Sequence, residues 1–453
     1  MTEAINANSA LTPRWTKLFY HPEQNRLWNS TTRFKVAHAG RRAGKTELAK
    51  RKIVIEAMRC DKPQGRFIAA APTWRQSVDI WWDDILALVP PWALLNGKRS
   101  VSLSFRKITL WNNATISVVG LDKPERVEGS ALDFFVGDEF GNCKSTVWDQ
   151  NIRPALSTIG RPGQAWLIGT PEGRNHYYQI CQDALKRDDW DSFSWCTAEI
   201  NPEEAEAARG ELDELTYSQE YGGEFVNFSG RAYYTFDDNL NCPPDKERVL
   251  YNESYPLCFS FDFNRVPGTA VISQELPAPE WLIKRNQGKN KGTITSVIDE
   301  VFLQKGSTTE KVCNELLQRW RHHKGLVKLY ADATGGAHTS SGVAGSDLDI
   351  INAKLDGPFN VEENWPKSNP PIRVRINTVN SRVCSAAGYI GTIVDRKCKY
   401  LIRDLEGVSC DDEGGILKSD TKSLLTHISD ALGYFMCVEH PLGGGAAWSN
   451  RGF

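Results

Sequence analysis

Residues 37–50 read AHAGRRAGKTELAK. Gly44, Lys45 and Thr46 close the pattern of a phosphate-binding loop, G-x-x-x-x-G-K-[ST]. The first glycine of that pattern is displaced here. Position 39 is Ala39, Gly40 follows, and Arg41 and Arg42 come next. A small residue at 39 still permits the turn, whereas bulk at Gly44 would block close backbone approach. Such a loop binds an anion because successive N–H groups and a helix N-terminus point at it. Ala39, Gly40, Arg41, Arg42, Ala43 and Gly44 would form the cradle. Lys45 would reach the β- and γ-phosphates of a nucleotide, and the Thr46 hydroxyl suits Mg²⁺.

A second motif fits the same chemistry. FFVGDEF is an apolar strand that ends in Asp138 and Glu139. In ATPases the strand-end aspartate holds the Mg²⁺ water shell, and an adjacent glutamate polarises the attacking water. Arg126, upstream in LDKPERVEG, could supply transition-state charge to a neighbouring subunit's γ-phosphate, or be a solvated surface arginine. Thr170, in IGTP, ends a further strand with a small hydroxyl suited to sensing the γ-phosphate, although taken alone the segment reads first as a strand-to-turn junction.

The C-terminal half carries a different set. Asp262 lies in FSFDFN, Asp332 ends KLYADATG, and Asp430 lies in the helical THISDALGYF. A charge in an apolar strand is costly to bury unless it is paired or binds a metal. Three carboxylates from two strands and a helix can converge on two metal ions about 3.5–4 Å apart, the arrangement that cleaves phosphodiesters. Oxygen ligands suit Mg²⁺ or Mn²⁺. Asp299 and Glu300 share a third strand on opposite faces. Glu300 is a second-rank ligand, and Asp299 reads as a carboxylate facing water.

These residues require two frameworks. Around the loop, strands are expected at 33–39, 66–72, 114–120, 132–140 and 164–173. Helices are expected at 46–60 and 75–89, an alternation that predicts a parallel sheet covered on both faces. Around the second set, strands are expected at 257–264, 268–276, 294–303 and 326–335, with helices at 307–323 and 423–439. This order is compatible with an RNase H-like fold. Residues 229–254 are rich in turn formers and read as a linker. The 453 residues allow two to four domains at roughly 100–200 residues each. Eleven scattered cysteines with no C-x-x-C pair argue for reduced thiols. The chain has no secretory leader pattern and no apolar run of the ~18 residues that a membrane span needs. A net charge of −2 leaves nucleic-acid binding to local basic patches. Lys284, Arg285, Lys289 and Lys291 on an enlarged hairpin tip (277–292) form either such a patch or a solvated tip, and Arg373 with Arg375, alternating along one face of the strand-like IRVRIN, could lie beside a DNA groove.

Taken in order, GRRAGKT, APTWRQS, FFVGDEF, IGTPEGR, FSFDFN, YADATG and THISDALGY resemble the large terminase subunit of tailed double-stranded DNA bacteriophages. The resemblance runs from about residue 20 to 440. It implies an α/β chain: an N-terminal P-loop ATPase of the additional-strand type with a parallel-rich sheet, then an RNase H-like mixed-sheet nuclease. The implied domains are 1–228 (with a lid-like part at about 180–228), a 229–254 linker, 255–440, and a flexible Gly-rich tail at 441–453. The family's ATPase roles fall on Lys45, Thr46, Asp138 and Glu139, with Arg41 as its phosphate-loop arginine. Gln24 sits where related motors read adenine. Thr170 falls in the motif that couples hydrolysis to movement, and Arg126 in the region of a trans-acting arginine. The nuclease carboxylates fall on Asp262, Asp332 and Asp430. The implied cofactors are ATP with Mg²⁺, and two Mg²⁺ or Mn²⁺ for cutting. The implied partners are double-stranded DNA, the portal protein, the small terminase subunit and further copies of the chain in a ring, in the host cytoplasm.

Overall fold

A computed structural model describes residues 21–129, 131–263, 267–288, 292–333, 346–411, 415–417 and 424–442. Lys289, Lys291 and positions 443–453 of the Gly-rich tail lie outside the described residues. The chain divides into two compact units: residues 1–205 with 218–226, and residues 206–217 with 227–453.

The first unit is built on an eight-stranded sheet. In chain order its strands are β1 (Phe34–Ala39), β2 (Arg66–Ala71), β3 (Val101–Ser102), β4 (Lys107–Thr109), β5 (Thr115–Gly120), β6 (Phe134–Gly137), β7 (Gln164–Gly169) and β8 (Trp190–Trp195). The spatial order is β8-β1-β7-β6-β2-β5-β4-β3. Pairing is parallel from β8 through β5 and antiparallel at β4 and β3. Strand β7 is thus inserted between β1, which leads into the loop, and β6, which ends in the acidic pair. That is the additional-strand arrangement. Strand residues alternate between two covered faces. Ala37, Ala39, Phe67 and Ala69 pack with Leu48, Ile53 and Val54 of helix α2 (Lys45–Met58). Phe34, Val36, Ile68 and Ala70 pack on the other side with Tyr177 and Cys181 of helix α3 (His176–Ala184). The expected helix at 75–89 forms as two α segments joined by a π turn at Val78–Trp82, which buries Trp81 and Trp82.

The second unit holds a six-stranded mixed sheet: β9 (Leu257–Asp262), β10 (Gly268–Pro277), β11 (Thr293–Leu303), β12 (Leu326–Tyr330), β13 (Asn360–Glu363) and β14 (Thr392–Val394). The order is β13-β12-β9-β10-β11-β14. Strands β9, β10 and β11 form an antiparallel meander, while β12 and β13 add in parallel beside β9. This is the RNase H-like order. Helices α4 (Thr309–Trp320) and α5 (Asp347–Leu355) cover one face. Helices α6 (Ile372–Val383), α7 (Lys399–Gly407) and α8 (His427–Glu439) cover the other.

Two expectations are revised here, and a third gains detail. The IRVRIN segment is not strand-like: it opens helix α6, whose buried Ile376, Val379, Asn380 and Val383 follow helical spacing. Residues 277–292 join the antiparallel β10 and β11 as an enlarged hairpin tip, and within it Glu280–Arg285 form a short helix in which Lys284 pairs with Glu280 at 2.8 Å. The stretch 229–254 places Ala232, Tyr233, Phe236 and Cys242 in the core beneath α6, α7 and α8.

Candidate functional site

In the first unit the loop bridges β1 and α2. Helix α2 starts from Gly44, which has φ 77° and no side-chain cap, so its first N–H groups are left to another acceptor. Arg42 also takes a left-handed φ, 57°. Gly40 is required by space. A Cβ there would fall 2.2 Å from Thr197 Oγ1 and 2.3 Å from the Tyr221 carbonyl oxygen. Gln24, on helix α1 (Pro22–Asn29), is buried beneath the loop. Its Nε2 donates to the Ala43 carbonyl at 2.9 Å, and Trp195 Nε1 donates to the same oxygen at 2.7 Å. The side-chain amide of Gln24 therefore braces the loop.

Lys45 is 6% exposed. Its Nζ donates to Thr170 Oγ1 at 2.9 Å and to the Ala39 and Gly40 carbonyls at 3.3 Å. All three partners are neutral. The Thr46 hydroxyl donates to Asp138 Oδ2 at 2.6 Å, and the Glu139 N–H donates to Asp138 Oδ1 at 2.8 Å. Glu139 sits at a left-handed φ of 48°, a conformation that costs a non-glycine residue about 1–2 kcal/mol. Burial pushes its carboxyl above the usual range. Asp138 and Glu220 push the same way, and Lys45 and Arg41 oppose them.

The two loop arginines differ. Arg41 is paired through Nε with Glu220, and its carbonyl accepts from Thr197 Oγ1 at 2.8 Å. The side chain of Arg42 is 77% exposed, with Glu204 at 3.9 Å. Arg126 is exposed and lies over the Trp74 ring at 5.9 Å. Among the described residues it makes no hydrogen bond or ion pair with Lys45, Asp138 or Glu139. The structure thus brings Gln24, Lys45, Thr46, Asp138, Glu139 and Thr170 together around Ala39–Gly44 and leaves Arg126 apart.

In the second unit Asp262 ends β9, and its Oδ2 lies 3.1 Å from His427 Nδ1 at the start of α8. One turn further, Asp430 Oδ1 accepts from Arg375 Nη2 of α6 at 2.8 Å. Asp332 follows β12 and is half-buried. Burial pushes the Asp262 carboxyl up, and Asp332 adds to the push, against His427 and Arg375. Burial also raises Asp430, to about 6, with Arg375 opposing and Asp262 adding. Three acids thus share one electrostatic neighbourhood. Among the described residues, however, no group of three or more His, Cys, Asp or Glu is close enough to hold a metal ion. The donor chemistry fits a hard divalent cation, but Asp262 and Asp430 are each engaged by a nitrogen base.

Glu300 is used differently. Both of its carboxylate oxygens accept backbone N–H groups, from Tyr400 and Leu401, at 2.9 Å each, at the N-terminus of α7. Asp299 lies 3.6 Å from both Arg319 and Lys397. Arg375 is not a surface cation beside a groove as expected. It is 6% exposed and committed to Asp430, whereas Arg373 lies over the Phe228 ring at 4.2 Å. Two residues of this site were not expected. His427 could have been found, because H-x-x-D places His427 and Asp430 on one helical face. Asp404, fully buried on α7, accepts from Arg403 at 3.1 Å and from the Ser429 N–H at 3.4 Å. Nothing in its local sequence marks it.

No protein-family model matches the chain. Over 292 residues it is 28% identical to the terminase large subunit of Thermus virus P23-45, a match that covers 56% of this chain and 59% of that protein. Over 224 residues it is 25% identical to the terminase large subunit of Escherichia phage T5, covering 47% and 48%. The matches span less than two thirds of the length of these curated relatives. In fold, the chain is similar to the large terminase of a thermophilic bacteriophage, with a TM-score of 0.56 at 15% identity over 93% of this chain and 99% of that one. The same protein in complex with ADP gives a TM-score of 0.56 over 92% of this chain. The resemblance to large terminase subunits therefore holds in sequence and in fold.

Proposed function

We propose, on the likeness to large terminase subunits, that this chain is the motor and nuclease subunit of a phage DNA-packaging machine. The observation that carries the reading is the grouping of Lys45, Thr46, Asp138, Glu139 and Thr170 at one end of a parallel sheet, around the loop Ala39–Gly44.

In this reading the first unit hydrolyses ATP. The N–H groups of the loop and the first turn of α2 hold the phosphates. Lys45 exchanges its carbonyl partners for phosphate oxygens, and Thr170 stays within its reach. Thr46 and Asp138 would hold Mg²⁺, which supplies charge neutralisation between the phosphates. Glu139, kept basic enough by burial and Asp138, orients the attacking water. Arg41, tethered to Glu220, lies at the loop as the phosphate-contacting arginine, while Arg42 faces outward toward DNA or a neighbouring subunit. Arg126, exposed on this unit, is available to a second copy in a ring.

The second unit cuts DNA. Asp262, Asp332 and Asp430 would hold two Mg²⁺ or Mn²⁺, which supply an activated water and stabilise the leaving oxygen. His427 orients Asp262. The proposed division is a motor up to about residue 228, with a lid-like part at about 180–228, and a nuclease from about 255, with the 229–254 stretch packed into the second unit. The partners are duplex DNA, the portal protein and the small terminase subunit, in the cytoplasm of the infected host.

The test separates the two activities. Glu139→Ala should abolish ATP turnover and leave Mn²⁺-dependent nicking of a plasmid. Asp262→Ala should do the reverse. Loss of both activities in either folded variant would overturn the two-site reading, and robust strand displacement without packaging would favour a helicase–nuclease instead.

A further inference from the structure

Helix α6 delivers a buried cation to the nuclease carboxylates. Arg375 is 6% exposed. Its stem crosses α8 at Gly433, where a Cβ would fall 2.4 Å from Arg375 Cγ and 2.9 Å from Cδ. Glycine at 433 is therefore what lets the side chain through. Beyond it, the guanidinium lies 4.6 Å from the centre of the Tyr434 ring and donates to Asp430 at 2.8 Å. Its Nε is buried, with no hydrogen-bond partner among the described residues. A fork with a donor left over is not optimised as a structural cross-link, because a buried donor without a partner costs stability. Its charge also falls on Asp262. The guanidinium thus places a positive charge on Asp430 and within electrostatic reach of Asp262.

We propose that Arg375 is the resident counter-cation of Asp430, and that a divalent ion must displace it before Asp262, Asp332 and Asp430 can close on the metal. Arg375 is then a positioning residue that sets the metal affinity of the nuclease site. It holds Asp430 to α6 and leaves the carboxylates unreactive at low free metal. This inference rests on the nuclease reading above. The spread of the acids in this structure accords with it, since Asp430 is held by α6.

The test measures metal binding, not cutting. Mn²⁺ is titrated calorimetrically into the full chain without nucleotide, with Asp262→Ala as the reference for Mn²⁺ bound elsewhere. Arg375→Met keeps the stem over Gly433 and removes the charge. It should bind Mn²⁺ about tenfold tighter than the wild type or better, since one unit charge leaves a partly buried site. Arg375→Lys keeps the charge but loses the planar fork. It should bind about two- to fivefold tighter, and it decides the matter if the Met variant does not fold. Equal or weaker affinity in the folded variants, with a wild-type site that Asp262→Ala abolishes, overturns the assignment of Arg375 alone. No Asp262-dependent Mn²⁺ site in any variant overturns the nuclease reading, and this inference with it.

Discussion

Thr46 and Asp138 are 92 residues apart in sequence and are joined by a 2.6 Å hydrogen bond. It ties the first turn of α2 to the residue that follows β6. Asp138 is 2% exposed, so its carboxylate depends on the two donors it has, Thr46 and the Glu139 N–H. Thr46→Val keeps the shape and removes one of them. The unpaired acceptor should cost about 1–3 kcal/mol of stability. ATP turnover should fall by about a hundredfold or more and require higher Mg²⁺. Phosphate release across an Mg²⁺ titration checks this. An unchanged Mg²⁺ dependence would remove Thr46 from the site.

Glu139 has a raised pKa, mainly through burial and then through Asp138. In its proposed role beside the attacking water, Glu139 works only when deprotonated. The acid limb of the turnover profile should therefore lie above the ordinary glutamate value of 4.5. Glu139→Gln should keep ATP binding, lose turnover by about 10²–10⁴-fold, and abolish that limb in the residual rate. A limb that survives the substitution belongs to another group.

The displaced glycine of the loop makes a sharper contrast. Ala39 ends β1 and is fully buried with an ordinary strand neighbourhood. Gly40 has no room for a Cβ, since the nearest obstacle after Thr197 is the Tyr221 backbone. Gly40→Ala should cost about 1–3 kcal/mol by overpacking and weaken nucleotide binding. Ala39→Gly restores the generic pattern and should cost less, about 0.5–1 kcal/mol, through chain entropy. Thermal unfolding and ATP-analogue titration of both variants rank them. A reversed order would show that the loop does not use Gly40 as described.

Much of this site is legible in the sequence because its determinants are local. An apolar run that stops at Asp138 and Glu139, or at Gly169 and Thr170, marks a strand end without any tertiary knowledge. The brace from Gln24 to Ala43 was not legible as such: a glutamine before the first strand shows its place but not what its amide touches. Helix α6 misled because Ile372, Val374 and Ile376 alternate with arginines, a period-two pattern of β-branched residues. Burial of Val379 and Val383 on the same side as Ile376 decides for the helix. The pairing of Arg375 and the place of Asp404 are hidden for another reason. Each acts across a contact that joins two helices, Arg375 to Asp430 over 55 residues and Asp404 to Ser429 over 25. No local pattern encodes such pairings.

Asp133 offers a test of what holds the first unit together, away from the chemistry. Arg161 grips it with two hydrogen bonds of 2.8 and 2.7 Å, the Arg66 N–H adds one at 2.9 Å, and Lys62 lies at 3.3 Å. Burial alone would raise its pKa. The Arg161 fork and the Arg66 N–H outweigh burial, and the carboxyl is held below its ordinary value of 3.8. A depressed pKa means that the folded state binds the proton less readily than the unfolded one. The stability it contributes is therefore complete above pH 3.8 and is lost as pH falls through the depressed value. Asp133→Asn should cost about 2–4 kcal/mol at neutral pH, near the lower range for breaking a buried pair, because Arg161 can turn to solvent. Calorimetric unfolding of both proteins from pH 7 to about pH 2 should show the gap closing only below the ordinary aspartate value. A gap that stays constant down to the lowest pH would mean that the Asp133 charge contributes nothing and that the hydrogen bonds alone matter.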